Sequence, residues 1–186
     1  MKPSIVYLDI ESQKTIAQAG GDWSKLHRMK LAVAVAWCEP AGELRIFTER
    51  DIKELAALLR SASLVIGYNL LRFDIPIIKG YRGVNLTGVR CRDLLVDIAE
   101  QTEERHSLAS LLKVNFGLEA KASGLECIEW WQEGQVAKVV ETCANDVLHI
   151  RRLHLSGAKQ GFVCVPGAAK QRKRCPVDWR VDNPSR

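Results

Sequence analysis

A mixed α/β sheet, with three antiparallel strands followed by parallel strands and helices on its faces, is the fold class the sequence predicts. Three observations carry it. Apolar runs of strand length open the chain, and two of them, Leu31 to Trp37 and Leu44 to Phe47, are joined only by the turn sequence Glu39-Pro40-Ala41-Gly42, which makes an antiparallel pair. From Thr48 onward, segments of helical period alternate with short apolar runs, the pattern of crossover units. A long stripe of Val136, Val139, Val140, Cys143, Val147 and Ile150, at steps of three and four, then predicts one long helix over Gln135 to Leu155.

In chain order, Ile5 to Ile10 reads as the first strand, and Glu11 to Met29, polar and carrying Gly20-Gly21, as a long connection. Thr48 with Asp51 three residues later resembles a capping box, and Ile52, Leu55, Leu58 and Leu59 follow at helical spacing. Leu64 to Tyr68 is a short apolar strand. Asp74-Ile75-Pro76 reads as a helix start, since proline is tolerated in a first turn. A short strand is expected at Val89 to Cys91, then helices at Asp93 to Ala99 and Ser107 to Phe116, the second closed by Gly117. Lys121 to Gly124 is a loop and Ile128 to Trp131 a short helix or turn. Gly161 to Val165 and Pro176 to Trp179 make a candidate terminal β-hairpin.

The 186 residues suit one domain with a substantial core. We expect residues 1–156 to form that domain and residues 157–186 a basic C-terminal extension. No apolar run reaches the length of a membrane span, and the N-terminus lacks a signal-peptide layout, so no membrane role and a cytoplasmic location are the expectations. The six cysteines form no Cys-x-x-Cys pair and read as reduced thiols. Their spacing does not support a zinc site using Cys164 and Cys175. The net charge of +5 lies in the extension, which carries Lys159, Lys170, Arg172, Lys173, Arg174, Arg180 and Arg186 against Asp178 and Asp182. Such a cluster suits a polyanion, or simply a solvated tail.

Asp9 and Glu11 close the first strand. Residues two apart on a strand share a side, so both carboxylates aim at one point, and like charges that close are eased by a cation between them. Hard divalent cations take such oxygen ligands. The alternative is a polar strand end running into a loop. Asp74 follows the Leu64 to Tyr68 strand, where it could equally cap the next helix. Asp146 lies beside the apolar stripe of the long helix, a place charges avoid unless paired, metal-bound or able to reach solvent.

Taken in order, Tyr7-Leu-Asp-Ile-Glu-Ser12, Gly67-Tyr-Asn-Leu-Leu-Arg-Phe-Asp-Ile-Pro76 and Cys143-Ala-Asn-Asp-Val147 resemble the three motifs of the DEDD-type 3′–5′ exonucleases, DnaQ-like members of the ribonuclease H-like superfamily. The resemblance spans roughly Ile5 to Leu155 and includes Ser107-Leu-Ala-Ser-Leu-Leu112 and Lys121-Ala-Ser-Gly124. It implies a ribonuclease H-like sheet in residues 1–156, with Asp9, Glu11, Asp74 and Asp146 holding two divalent cations, Mg2+ or Mn2+. Asn69 and Phe73 would shape the nucleotide site. The implied substrate is a single-stranded DNA or RNA end, cleaved to nucleoside 5′-monophosphates, with a helicase or polymerase as a partner in trans.

The family branches on the residue that handles the attacking water, a Tyr four positions before the last Asp or a His five before. Here those positions hold Thr142 and Glu141, and the surroundings are closer to the Tyr branch. A Thr hydroxyl is shorter and a far weaker acid than a phenol. His149, one turn from Asp146, and His106 are the other candidates for that role. The alternatives to the exonuclease reading are a nucleic-acid-binding module with a degenerate site and a related nuclease that cuts internally.

Overall fold

Strand β1 (Ile5–Ser12) occupies the centre of the sheet because its alternate residues find apolar partners on both faces. Its neighbours are β2 (Leu31–Glu39), antiparallel, and β4 (Leu64–Gly67), parallel; β3 (Glu43–Thr48) and β5 (Cys91–Asp93) form the edges, in the order β3-β2-β1-β4-β5. The computed structural model describes residues 4–119, 122–167 and 171–181. Lys121, Lys170, Asp182 and Arg186, singled out above, lie outside the described residues.

Val6, Leu8 and Ile10 face a core made with α1 (Ile52–Ser61), α2 (Asp74–Lys79) and a 3-10 helix at Trp23–Met29. The opposite register of β1 begins with Tyr7 and faces α3 (Leu94–Thr102), α4 (Leu108–Phe116), α5 (Gly124–Gln132) and α6 (Val136–Gln160). The helices start where local chemistry lets them. The Thr48–Asp51 capping box forms and leads through a 3-10 turn into α1, and Ser107 caps α4, which Gly117 ends at φ 69°. A second capping box, Ser123 with Glu126, starts α5 earlier than its apolar residues suggest. The β5 strand lies two residues later than its Val-containing run, since Asp93 both ends it and caps α3. No helix among the described residues is long and apolar enough to cross a membrane, and all six cysteines are free thiols.

The long helix does not stop at Leu155. Gly157 is buried within it, and the left-handed Gly161 (φ 74°) terminates it after Gln160. A hairpin of β6 (Phe162–Pro166) and β7 (Arg172–Pro176) then packs back on α4 and α6, so Arg172, Lys173 and Arg174 are strand residues with exposed side chains. Trp179, 1% exposed, seals this contact and donates its indole N–H to Asp97 Oδ2 at 2.9 Å.

Beneath Trp179, the buried His154 stacks on its ring and shares a hydrogen bond of 2.9 Å between Nδ1 and the Tyr7 hydroxyl. Burial, with the Arg92 charge, pushes the His154 pKa down to about 4, while an unfolded chain protonates near its ordinary value of 6.5. The folded state therefore holds fewer protons between those values. The contribution of His154 to stability should be flat above about pH 6.5 and fall by on the order of 3 kcal/mol as pH drops towards 4. The difference between wild type and His154→Gln in urea unfolding at stepped pH should show this slope, separate from the opposite slope of the raised carboxyls. An unchanged slope in that variant would assign the effect to other groups.

Candidate metal centre

Three elements deliver the four predicted carboxylates. Asp9 and Glu11 share the Tyr7 side of β1, opposite Val35 and Val33 of β2, and a break of register between Glu11 and Ser12 ends the regular pairing there. Such irregularities commonly re-aim side chains at functional sites. Asp146 comes from α6, whose Val139, Cys143, Val147 and Ile150 pack on the same sheet face. Oxygens of Asp9, Glu11 and Asp146 all lie within 4.8 Å of one another.

Asp74 is not a cap. Phe73 occupies the N-cap position, and Asp74 is the first residue of α2, only 3% exposed. It stands outside the three-membered oxygen cluster, yet among the neighbouring charges it raises Asp9 the most.

Burial is the main cause that raises all four carboxyls above their ordinary range. Asp9 is raised well above it, by desolvation and then by Asp74, Glu11 and Asp146. Asp74 is also raised well above it by desolvation, opposed by the backbone N–H groups of Asp74 and Ile10. Glu11 is pushed up to about 8, and Asp146 is raised despite the counter-pull of His149, whose Nδ1 lies 3.7 Å from its Oδ1. Among the described residues, no lysine or arginine forms an ion pair with any of the four. Partly exposed, mutually repelling oxygen donors beside the buried Asp74, with no lysine or arginine to pair them, fit a hard divalent ion such as Mg2+ or Mn2+.

Around them, two cysteines do work that the sequence did not reveal. The buried Cys143 thiol donates towards Asp9, at 3.3 Å to its carbonyl and 3.5 Å to Oδ2. Cys127 of α5 lies beside both Glu11 and Thr142. Glu141 is exposed, and His106 is tucked behind a loop, its backbone carbonyl accepting from the Tyr68 hydroxyl at 2.6 Å.

The loop between β4 and α2 is braced by Asp93, another residue the sequence reading missed. Its buried carboxylate accepts from the backbone N–H of Asn69 (2.8 Å), Leu71 (3.0 Å) and Leu95 (3.1 Å). Asn69 adopts φ 61°, a left-handed conformation asparagine tolerates, and its side-chain oxygen accepts from Arg105 Nη2 at 2.9 Å. Phe73 packs against the α1–α2 core, so its ring is only partly open to the site. The signal that could have identified Asp93 is its position ahead of an apolar helix, where Asp is a favoured cap.

The basic hairpin stands apart from the carboxylates. Gly157, which it covers, is eleven residues beyond Asp146 on one helix, or on the order of 16 Å at 1.5 Å per residue. No family model matches the chain, and no curated protein matches it.

Proposed function

We propose that this protein is a metal-dependent 3′–5′ exonuclease of the DEDD type, on a ribonuclease H-like sheet, acting on single-stranded nucleic acid ends. The observation that carries the reading is the meeting of Asp9, Glu11 and Asp146 within 4.8 Å, with Asp74 adjacent, from three separate elements. The sheet, three antiparallel strands continued by two parallel ones, is compatible with that fold. Bound divalent cations would polarise the phosphodiester and stabilise the attacking and leaving oxygens of an in-line displacement. Asp9, Glu11 and Asp146 would hold them, with Asp74 completing the ligand set, while the Asp93-braced loop fixes Asn69 beside the opening. Water attack at the terminal phosphodiester releases a nucleoside 5′-monophosphate.

A second reading, a nucleic-acid-binding module with a degenerate site, is favoured by Thr142, which stands where the Tyr branch has its phenol and lies beside Cys127. One experiment separates the two. With Mg2+ or Mn2+, 5′-labelled DNA and RNA single strands should shorten progressively from the 3′ end. Retarded but uncut strands would support the binding module, and internal cuts a different nuclease. Thr142→Tyr should raise the rate on the order of tenfold, a part of the ~10²–10⁴ that a positioned acid–base group supplies. A fast wild type with no gain in the variant would show that the site already handles its water by other means.

A further inference from the structure

The 3-10 helix that follows the carboxylate strand presents Trp23 to solvent, 60% exposed, at its first position. One face of the indole is covered by the guanidinium of Arg72, 5.7 Å from the ring centroid. Arg72 lies two residues before Asp74, and its neighbour Leu71 is 47% exposed while its backbone N–H is held by Asp93. The helix carrying Trp23 is seated tightly on α2: a Cβ at Gly80 would fall 2.0 Å from His27 Cβ. Trp23, Arg72 and Leu71 thus form a fixed patch beside the loop that delivers Asp74.

Resting on the nuclease reading above, we propose that Trp23 is a base-stacking platform for single-stranded nucleic acid. An unpaired base lies on the free face of the indole, and Arg72, behind the ring, and Arg105, on Asn69, meet the adjoining phosphates. The chemistry of the patch selects this occupant. An aromatic face stacks on any base, a guanidinium behind it strengthens the stack, and cations beside it match a phosphodiester backbone. The nearest acid does not oppose this, because Asp22 is occupied by the Ser24 N–H (2.9 Å), the Ser24 hydroxyl (2.6 Å) and Lys25 Nζ (2.8 Å). The patch also adjoins the loop that delivers Asp74, with Arg72 two residues before it, whereas the basic hairpin sits several helical turns away. A strand anchored on Trp23 passes the loop before α2 and presents its end to Asp9, Glu11 and Asp146.

The test is the affinity of a fluorescently labelled oligothymidylate and its oligouridylate counterpart, in the Asp74→Asn background so that the strand is not consumed. Trp23→Ala should weaken binding on the order of tenfold, Trp23→Phe should retain most of it, and an abasic strand should be insensitive to the substitution. Arg72→Ala should reduce the salt slope by about 0.7, the value for one phosphate on a single strand. The exposure of Trp23 makes misfolding an inadequate explanation, and an unchanged unfolding curve checks that directly. Equal affinity of Trp23→Ala and its parent overturns the platform and leaves nuclease activity, measured in the wild type, standing. No oligonucleotide binding by the Asp74→Asn parent, together with no cleavage by the wild type, overturns both.

Discussion

Replacing Asp9 with asparagine is expected to abolish metal-dependent phosphodiester cleavage and, without metal, to make the protein more stable. The two effects share one cause. Asp9 is half-buried and crowded by Asp74, Glu11 and Asp146, so its ionised form is disfavoured in the fold. Because its pKa is raised, the folded state binds more protons than the unfolded chain once pH exceeds about 4, the ordinary aspartate value. The metal-free wild type therefore loses stability as pH rises, and the neutral isostere escapes that loss. With Mg2+ or Mn2+ the order reverses. At a hundredfold excess over Kd a ligand stabilises by about 2.7 kcal/mol, which for a chain of this size is roughly 5–10 °C in Tm. Asp9→Asn should lose that gain, and losing several kcal/mol of transition-state stabilisation slows cleavage on the order of a thousandfold. Thermal unfolding with and without metal, beside the cleavage assay, reads both. A variant that keeps the metal-induced rise in Tm would remove Asp9 from the ligand set.

Gly157→Ala should destabilise the fold even though alanine is the better helix former. In mid-helix that exchange favours helix by about 1 kcal/mol. Here a Cβ would lie 2.4 Å from Trp179 Cε3, 2.6 Å from Cζ3 and 3.1 Å from Val163 Cγ1. Those ring atoms are no flexible tip. Trp179 is buried, hydrogen-bonded to Asp97 and stacked on His154, so relief requires the hairpin to move. Overpacking of this kind costs about 1–3 kcal/mol and occasionally more, and losing the Trp179 contacts adds to it. Urea denaturation should place Gly157→Ala at least about 1 kcal/mol below wild type, with a changed Trp179 fluorescence. Adding Trp179→Phe should recover part of the loss relative to Trp179→Phe alone. Equal or greater stability of the single variant would mean the helix and hairpin are not in this contact.

How much of this was legible beforehand differs from element to element. The β1, β2 and β3 strands, α1 and the long helix could be read because alternation and helical period are local properties of the chain, as are the Thr48–Asp51 and Gly117 caps. The end of α6 was misread, because a glycine packed under a tryptophan looks, in sequence, like a glycine that stops a helix. Asp74 reads equally as a cap or as a buried acid, since both follow a strand and precede Ile-Pro, and only its neighbours distinguish them. Asp93 and the two cysteines beside the carboxylates stayed silent for the same reason.

The Asp9–Glu11 pair sharing a strand face, and Asp146 flanking an apolar helix stripe, were determined by the sequence alone, through the two-residue and 3.6-residue repeats of strand and helix. Only the tertiary structure decided that α6 lies across the Tyr7 side of β1, bringing Asp146 to that pair. It also decided that Asp74 is buried beside Asp9, that Thr142 lies beside Cys127, and that Trp23 stands next to Arg72. The reason is distance along the chain. Period and capping act over a few residues, whereas the field that raises these carboxyls is made by groups as far apart in the chain as Asp9, Asp74 and Asp146, and only packing sets their separation.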